Sequence, residues 1–301
     1  RINLTYALTS HGTTRTEYTI VRMSEDEYYL VSAGAWTAYD ADFLRKAVED
    51  KEAEFGRIEV QNVTTQWGVF AIAGPKARAV MAEVIKDADP ETALSNKRFP
   101  WLSAKKIELG MCPVNAIRVA YTGELGWELH HPIEMQNYLF DLLEKAGENH
   151  GMKLVGARAQ NWLRQEKSYR AFGNELGRDA TPVEADLPRF IDLEKDFHGK
   201  AEMVAKGVRS KCVTVLIDGP SDADPWGREA LYDMDGNRIG RLTSGGYSVA
   251  FEKSIGMGYV KPALAEVGTK VQVKMLDKLW PAVIVEDSPY DPKNATIRVD
   301  G

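Results

Sequence analysis

The sequence predicts an α+β body of ferredoxin-like character followed by a small all-β unit, and three observations carry that prediction. Extended and helical patterns interleave along the first two-thirds of the 301 residues, with hairpins between them. From about residue 211 helical spacing stops, and short strands follow one another across turns such as Asp235-Gly236-Asn237, the pattern of a small barrel. A hydrophobic content of 44% over this length is enough to bury sizeable cores and allows two or three domains. The change of pattern divides the chain into a body over residues 1–206, in two lobes, and a β unit over residues 207–301.

The elements follow in order. Extended runs at 4–8 and 18–23 flank the turn-like Ser10-His11-Gly12 and read as a hairpin, and 28–32 reads as a further strand. Over 40–51, Phe43, Leu44 and Ala47 share one helical face. Residues 58–63 and 67–73 read as strands, and Pro75 occupies the favoured first turn of a helix reaching about Ile85. After a loop rich in charge and proline come strands at 106–109 and 114–121, then helices at 133–146 and 156–169. Residues 173–207 connect the halves, and the β unit takes strands at 212–217, 238–243, 254–260, 270–275 and 282–286. The chain opens inside its first strand, which reads as a piece of a longer protein.

Composition narrows the function classes. A net charge of −6 disfavours a general nucleic-acid or membrane surface, so any anionic ligand has to be held by local basic groups. The two cysteines, Cys112 and Cys212, lie far apart without metal-ligand spacing; a disulfide framework or zinc site is not expected, and a reducing compartment is the default. No apolar run approaches the ~20 residues that cross a bilayer, and the start lacks a signal-peptide layout. The expected location is cytoplasmic, or the mitochondrial matrix in a eukaryote. A dinucleotide site is not expected either: Gly256-Met257-Gly258 lacks the third glycine of the Rossmann spacing and precedes an extended stretch.

The most informative stretch is Tyr121-Thr122-Gly123-Glu124-Leu125-Gly126-Trp127-Glu128. Glycines break a strand into a tight turn and lead into a second extended piece, placing a carboxylate on a rigid corner. Such a carboxylate accepts two parallel hydrogen bonds from a flat group with adjacent N–H donors, as in a guanidinium or a 2-amino-4-oxo-pterin. Taken alone, a strand-end glutamate is more often solvated and inert. Further blocks are Gly156-Ala157-Arg158, the run Leu163-Arg164-Gln165-Glu166-Lys167-Ser168-Tyr169-Arg170 with Phe172-Gly173, and Ser288-Pro289-Tyr290-Asp291-Pro292.

This ordered set resembles the tetrahydrofolate-binding aminomethyltransferase (glycine cleavage T-protein-like) module found at the carboxyl end of FAD-dependent dimethylglycine and sarcosine dehydrogenases, along essentially the whole chain. The segment 242–286, with Thr243-Ser244-Gly245-Gly246-Tyr247-Ser248, looks closest to the dimethylglycine branch. The resemblance implies ferredoxin-like and Greek-key β lobes plus the barrel, three lobes around a central folate hole. It implies one-carbon transfer to tetrahydrofolate: the iminium from oxidative demethylation of an N-methylated glycine is captured as 5,10-methylenetetrahydrofolate. The partners implied are the folate, the iminium and an FAD-binding domain or subunit, with FAD held only by that missing N-terminal part.

The resemblance also assigns residues. Glu17 matches the catalytic carboxylate, usually aspartate, after the glycine-bearing turn; without the match it would read as a surface acid on a strand edge. Glu128 matches the pterin reader, with Tyr121 as an aromatic wall or hydroxyl beside it, although Tyr121 alone reads nearly as well as a core tyrosine. Thr19 and Val31 border the folate pocket, and Leu129 and His130 follow the reader, with contacts through backbone or van der Waals surface. Arg164 and Tyr169 share a helix and one cavity. Arg164 would hold the folate tail or pair near Glu128, or else form an intrahelical ion pair. Gln165 stands where the family has leucine, and Asp186 where it has glycine after Glu184-Ala185.

His11, His131, His150 and His198 read as surface residues, and the dispersed tryptophans as core or pocket wall, not nucleic-acid platforms. Two other readings stay open: a free-standing folate-dependent aminomethyl- or methyltransferase (demethylase), and a silent binding or regulatory subunit on the same scaffold.

Overall fold

The computed structural model describes residues 1–220 and 222–299. Strands β1 (Ile2–Leu8), β2 (Thr14–Arg22) and β3 (Tyr28–Val31) form an antiparallel sheet in that order. The β1–β2 turn needs Gly12: its φ is +73°, and an added Cβ would lie 2.4 Å from the backbone nitrogen of Met203. Helices α1 (Thr37–Glu49) and α2 (Glu52–Phe55) follow.

Residues 58–63 are not the expected strand. Ile58, Val60 and Val63 carry an apolar pattern, but this stretch joins no ladder, and Ile58 stays exposed. A strand exists only where a neighbouring edge takes its backbone hydrogen bonds.

The second sheet is built from β4 (Trp67–Ala73), β5 (Ala104–Leu109), β6 (Cys112–Ile117) and β7 (Gly126–Pro132), in the order β4-β7-β6-β5 and antiparallel throughout. Helices α3 (Ala77–Val84) and α4 (Pro90–Leu94) join β4 to β5, and α5 (Gln136–Glu148) follows β7. Buried positions Ala77, Val80, Met81 and Val84 recur with helical spacing and, with Leu139 and Leu143 of α5, pack on Trp127, Leu129, Val114 and Ala116. This is the two-layer body that the interleaved pattern predicts. Strand β6 stops at Ile117, four residues short of expectation, because Arg118 N–H turns aside to Ser103 and Val119 N–H closes back on Ile117.

Helix α6 (Ala157–Glu166) ends before Tyr169, since Ser168 enters the left-handed region at φ +51° and its hydroxyl bonds Thr214 at 2.7 Å. After α7 (Lys200–Lys206), six strands close a barrel: β8 (Lys211–Ile217), β9 (Ala230–Tyr232), β10 (Arg238–Ser248), β11 (Lys253–Val260), β12 (Lys270–Met275) and β13 (Lys278–Val285), ordered β10-β11-β8-β13-β12-β9. The three-residue β9 has no counterpart in the sequence reading; it is too short to show a period, yet it bridges β10 to β12 and removes the last free edge. Val215, Ile217, Leu231, Leu242, Val273 and Ile284 fill the interior.

Helix α6 lies on the barrel. A side chain at Gly246 would meet the Trp162 ring, so the glycine admits the helix at this distance. Beyond β13 the chain returns to the body: Ser288 N–H donates to Ser168 Oγ (2.9 Å), Tyr290 N–H to Glu166 O (3.0 Å) and Arg78 Nη2 to Val299 O (2.9 Å). No described helix is long and apolar enough to cross a membrane.

Candidate functional site

Strand alternation places Arg15, Glu17, Thr19 and Val21 in one row on β2. Register extends the row to Tyr6 opposite Glu17, to Leu4 and Val31 beside Thr19, and to Ile2 and Tyr29 beside Val21. At one end Ile2 and Val21 pack with Tyr29 against Ile117 of β6, so the two sheets meet there. In the middle, Thr19 and Val31 remain partly exposed.

At the other end Tyr6 stands opposite Glu17 in register, close enough that its hydroxyl and the carboxylate shift one another's protonation. Burial pushes the Glu17 carboxyl up to about 7, against the pull of the Tyr6 hydroxyl. Burial also raises the Tyr6 hydroxyl, and the Glu17 charge adds to it. Glu17 is therefore poised between charged and neutral forms near physiological pH. Tyr6 itself is fixed by an edge-on contact with Phe190, ring centroids 5.5 Å apart.

Glu128 pairs in register with Ile117, next to the junction of the sheets, and its side chain is 30% exposed. Its Oε2 lies 3.4 Å from His130 Nε2, while His130 Nδ1 lies 3.1 Å from the Tyr29 hydroxyl. When Tyr29 donates to Nδ1, the Nε2 proton points at Glu128, and a buried imidazole holds the carboxylate in place. Among the described residues Glu128 Oε1 has no partner. Leu129 and His131 point to the other side of β7. Leu129 sits in the helix-covered core, so only its backbone is available to a ligand.

His131 corrects the sequence reading outright. It is fully buried, stacked on Phe70 at 4.8 Å with Nδ1 against Leu129 O at 2.9 Å. The signal was present: Trp127, Leu129 and His131 fall on one side of the strand, and that side is apolar.

Tyr121 stands on the turn between β6 and β7, its ring stacked on Tyr169 with centroids 6.3 Å apart and planes at 22°. Burial pushes its hydroxyl up to about 12; Arg164 opposes that shift, and the charges of Glu175 and Glu17 add to it. Tyr121, Tyr169 and Glu17 thus belong to one cluster.

Arg164 also belongs to that cluster, but its guanidinium is used up. It is wholly buried, with Nη1 2.7 Å from Glu175 Oε2 and 2.8 Å from Tyr169 O, Nε 3.1 Å from Asn161 Oδ1, and Nη2 bonded to Asn161 and Ser244. Burial would raise Glu175, but Arg164, with the Ser244 and Thr243 hydroxyls and Ala171 N–H, holds it below the ordinary carboxylate range. Arg164 is a structural member of the site wall and has no free donor for a folate tail. The acid it pairs with lies beyond its own helix, where helical spacing gives no sign of it.

The geometry thus supplies two half-buried carboxylates of different character: Glu128, oriented by His130, and Glu17, whose carboxyl is raised to about 7. Between them lie the small and apolar side chains of Thr19 and Val31 and a pair of parallel tyrosine rings. Such a surface fits a planar heterocycle with adjacent donors at one end and a developing cation at the other. Tyr6, Tyr29 and Glu175 escape sequence reasoning, although Tyr6 is recoverable by setting the predicted hairpin in register. Among the described residues no group of His, Cys, Asp and Glu could hold a metal ion.

A family model described as the GCVT N-terminal domain matches residues 1–195, and one described as the glycine cleavage T-protein C-terminal barrel domain matches residues 211–291. The chain is 36% identical over 293 residues to a mitochondrial dimethylglycine dehydrogenase of Homo sapiens, covering 95% of this chain and 32% of that protein. It is 30% identical over 284 residues to an aminomethyltransferase of Natranaerobius thermophilus, covering 93% of this chain and 74% of that protein. In fold it superposes on the crystal structure of glycine cleavage system aminomethyltransferase T from Bartonella henselae with a TM-score of 0.80, at 24% identity, over 97% of this chain and 76% of that one. The chain therefore spans about a third of the length of the dimethylglycine dehydrogenases it matches.

Proposed function

The chain belongs to the glycine cleavage T-protein family, and from that premise we propose that it is a tetrahydrofolate-dependent one-carbon acceptor module of the dimethylglycine dehydrogenase type. The observation that carries the reading is the pairing of an oriented, half-open Glu128 with a half-buried Glu17 on two sheets that meet at Ile2, Val21, Tyr29 and Ile117. Bound tetrahydrofolate would supply the two nitrogens that take the methylene group of an iminium, while both displaced protons leave on the released ammonium.

The residues divide the work. Glu128, held by His130 and Tyr29, accepts the pterin's amino and ring N–H pair. Tyr121 and Tyr169 supply flat apolar area and keep water off the reacting centre. Ionised Glu17 stabilises positive charge on the donor, and the Tyr6 hydroxyl opposite it favours that charged form. Glutamate reaches about 1.5 Å further than the aspartate of other branches, which sets a different position for the charge.

The parallel match to free-standing aminomethyltransferases over 74% of their length supports a second reading with the same acceptor and another donor. The acceptor is tested directly by titrating the chain with a stable reduced folate and following tryptophan fluorescence. A saturable change that Glu128→Ala abolishes supports the proposal; a wild-type chain that gives no response defeats it.

A further inference from the structure

The run Thr243-Ser244-Gly245-Gly246-Tyr247-Ser248 of β10 meets α6 and the residues just beyond it. Ser248 Oγ donates to Glu166 Oε1 (2.6 Å), and Gln165 Nε2 donates to Gly245 O (3.2 Å). Gly246 leaves room for Trp162, whose indole Tyr247 meets edge to face with ring centroids 6.5 Å apart. Thr243 and Ser244 reach further, to Glu175 in the turn that follows Tyr169.

Consecutive residues of a regular strand point to opposite faces. Here the ladder slips: Leu242 pairs with Gly258 and Ser244 with Met257, so Thr243 is the extra residue of a β-bulge. The bulge brings both hydroxyls onto one atom, Glu175 Oε1, 2.7 Å from Thr243 Oγ1 and 2.5 Å from Ser244 Oγ. The other oxygen, Oε2, accepts from Arg164 Nη1 (2.7 Å) and from the Ala171 N–H (3.0 Å). The Glu175 side chain is wholly buried, and these four donors fill the roughly four lone-pair sites that a carboxylate offers. A donor removed there is not replaced by solvent.

The same carboxylate governs the backbone around Tyr169. Helix α6 has ended at Glu166, and its ladder does not extend to Ala171. Arg164 Nη1 donates to Tyr169 O (2.8 Å), Tyr169 N–H donates to Arg164 O (2.9 Å), and Glu175 takes both Arg164 and the Ala171 N–H. From β11 the Tyr259 hydroxyl adds a bond to Glu175 O (2.6 Å). Residues 169–171 thus hang from one acid whose remaining bonds are anchored in the barrel.

We propose that Thr243 and Ser244 are positioning residues for the ligand site: through Glu175 they hold the 169–171 backbone, and with it the Tyr169 ring against Tyr121. The proposal rests on the reading above of this ring pair as a wall of the folate pocket, and it gives the barrel a part in that pocket. A network that only kept the barrel on the body would leave the ring pair in place after the loss of one hydroxyl, since Trp162, Gln165 and Glu166 keep their own contacts with β10.

The test uses the whole chain. Thr243→Val and Ser244→Ala each delete one hydroxyl, Thr243→Ser keeps it, and Val273→Ala opens the barrel interior instead. Hydrogen exchange is followed along the chain, and affinity for a stable reduced folate is followed by tryptophan fluorescence. In the two hydroxyl-deleting variants exchange is expected to accelerate over residues 168–173 while β8, β12 and β13 stay protected, and folate affinity to fall ~3–10-fold, the worth of one hydrogen bond. Thr243→Ser should match the wild type in both, and Val273→Ala should lower Tm while changing neither.

Unchanged exchange over 168–173 in both deleting variants overturns the proposal. Accelerated exchange with unchanged folate affinity also overturns it, because Tyr169 would then move without consequence for the pocket. So does an equal loss of affinity in Val273→Ala, which would reduce the effect to general stability. A wild-type chain that gives no folate response defeats the folate reading alone, and exchange over 168–173 then decides by itself whether the two hydroxyls hold Tyr169.

Discussion

At the residue scale the controlling feature is the environment of Glu17. Its carboxyl is raised to about 7 by burial, so the ionised form that the proposed role requires is the minority species below neutrality. One-carbon transfer is therefore expected to rise with pH through about 7 and level off above it, measured as the pH profile of kcat/KM. Glu17→Gln should remove that limb and lower kcat by about 10²–10³-fold, the usual cost of deleting an electrostatic stabiliser. The sign for stability is opposite. A carboxyl with a folded pKa above its unfolded value costs stability once ionised, so the wild-type chain loses stability as pH rises from about 4.5 to about 7. Glu17→Gln should accordingly melt no lower than wild type at pH 8, and thermal unfolding at two pH values checks it. Arg164→Gln behaves differently, since it strands Glu175 without its buried counter-charge. A loss of ~3–5 kcal/mol is expected there in denaturant unfolding.

Elements were legible in the sequence wherever period and punctuation agreed. The 67–73 strand, the helix after Pro75 and the barrel strands stand at the expected places because alternation or helical spacing continues over several residues. What failed was what depends on a partner. The 58–63 run has the pattern but no edge to pair with, β9 has an edge but is too short for a pattern, and His131 looked polar until its strand showed which side faced the core. The candidate site divides in the same way: Glu17 and Glu128 are visible by motif, whereas Tyr29 behind His130 comes from a distant strand and Glu175 behind Arg164 from the loop beyond its helix. Asp186 gives an element-scale test. It occupies a position where the family has glycine and takes φ +59°, a conformation aspartate tolerates better than most residues. Its carboxylate also reaches Lys211 at 3.4 Å, on a solvated surface. Asp186→Gly relieves the backbone by up to ~1 kcal/mol and forfeits an exposed pair worth less, so a small rise in Tm is expected.

On the scale of the whole molecule, the body and the barrel are coupled by the segment after β13, and Lys167 is the pin. Its side chain is wholly buried, with Nζ 3.1 Å from Tyr290 O, 2.6 Å from Asp291 O and 3.9 Å from the Asp291 carboxylate. Its stem fills the space that Gly123 leaves open on the turn bearing Tyr121. The same returning segment is tied by Arg170 to Asp287 at 2.5 Å and by Tyr290 to Glu124 at 3.2 Å. One lysine thus fixes both the returning segment and the turn that carries Tyr121, while the barrel interior lies elsewhere and owes it nothing. Lys167→Met keeps the apolar stem but removes three interactions with the returning segment. Hydrogen exchange should then accelerate over residues 287–299 and the 120–126 turn while β8 to β13 stay protected, and reduced-folate affinity should fall through the displaced Tyr121. Uniform acceleration across the barrel would mean that Lys167 supports the global fold instead, and unchanged exchange in the returning segment would mean that its other ties suffice.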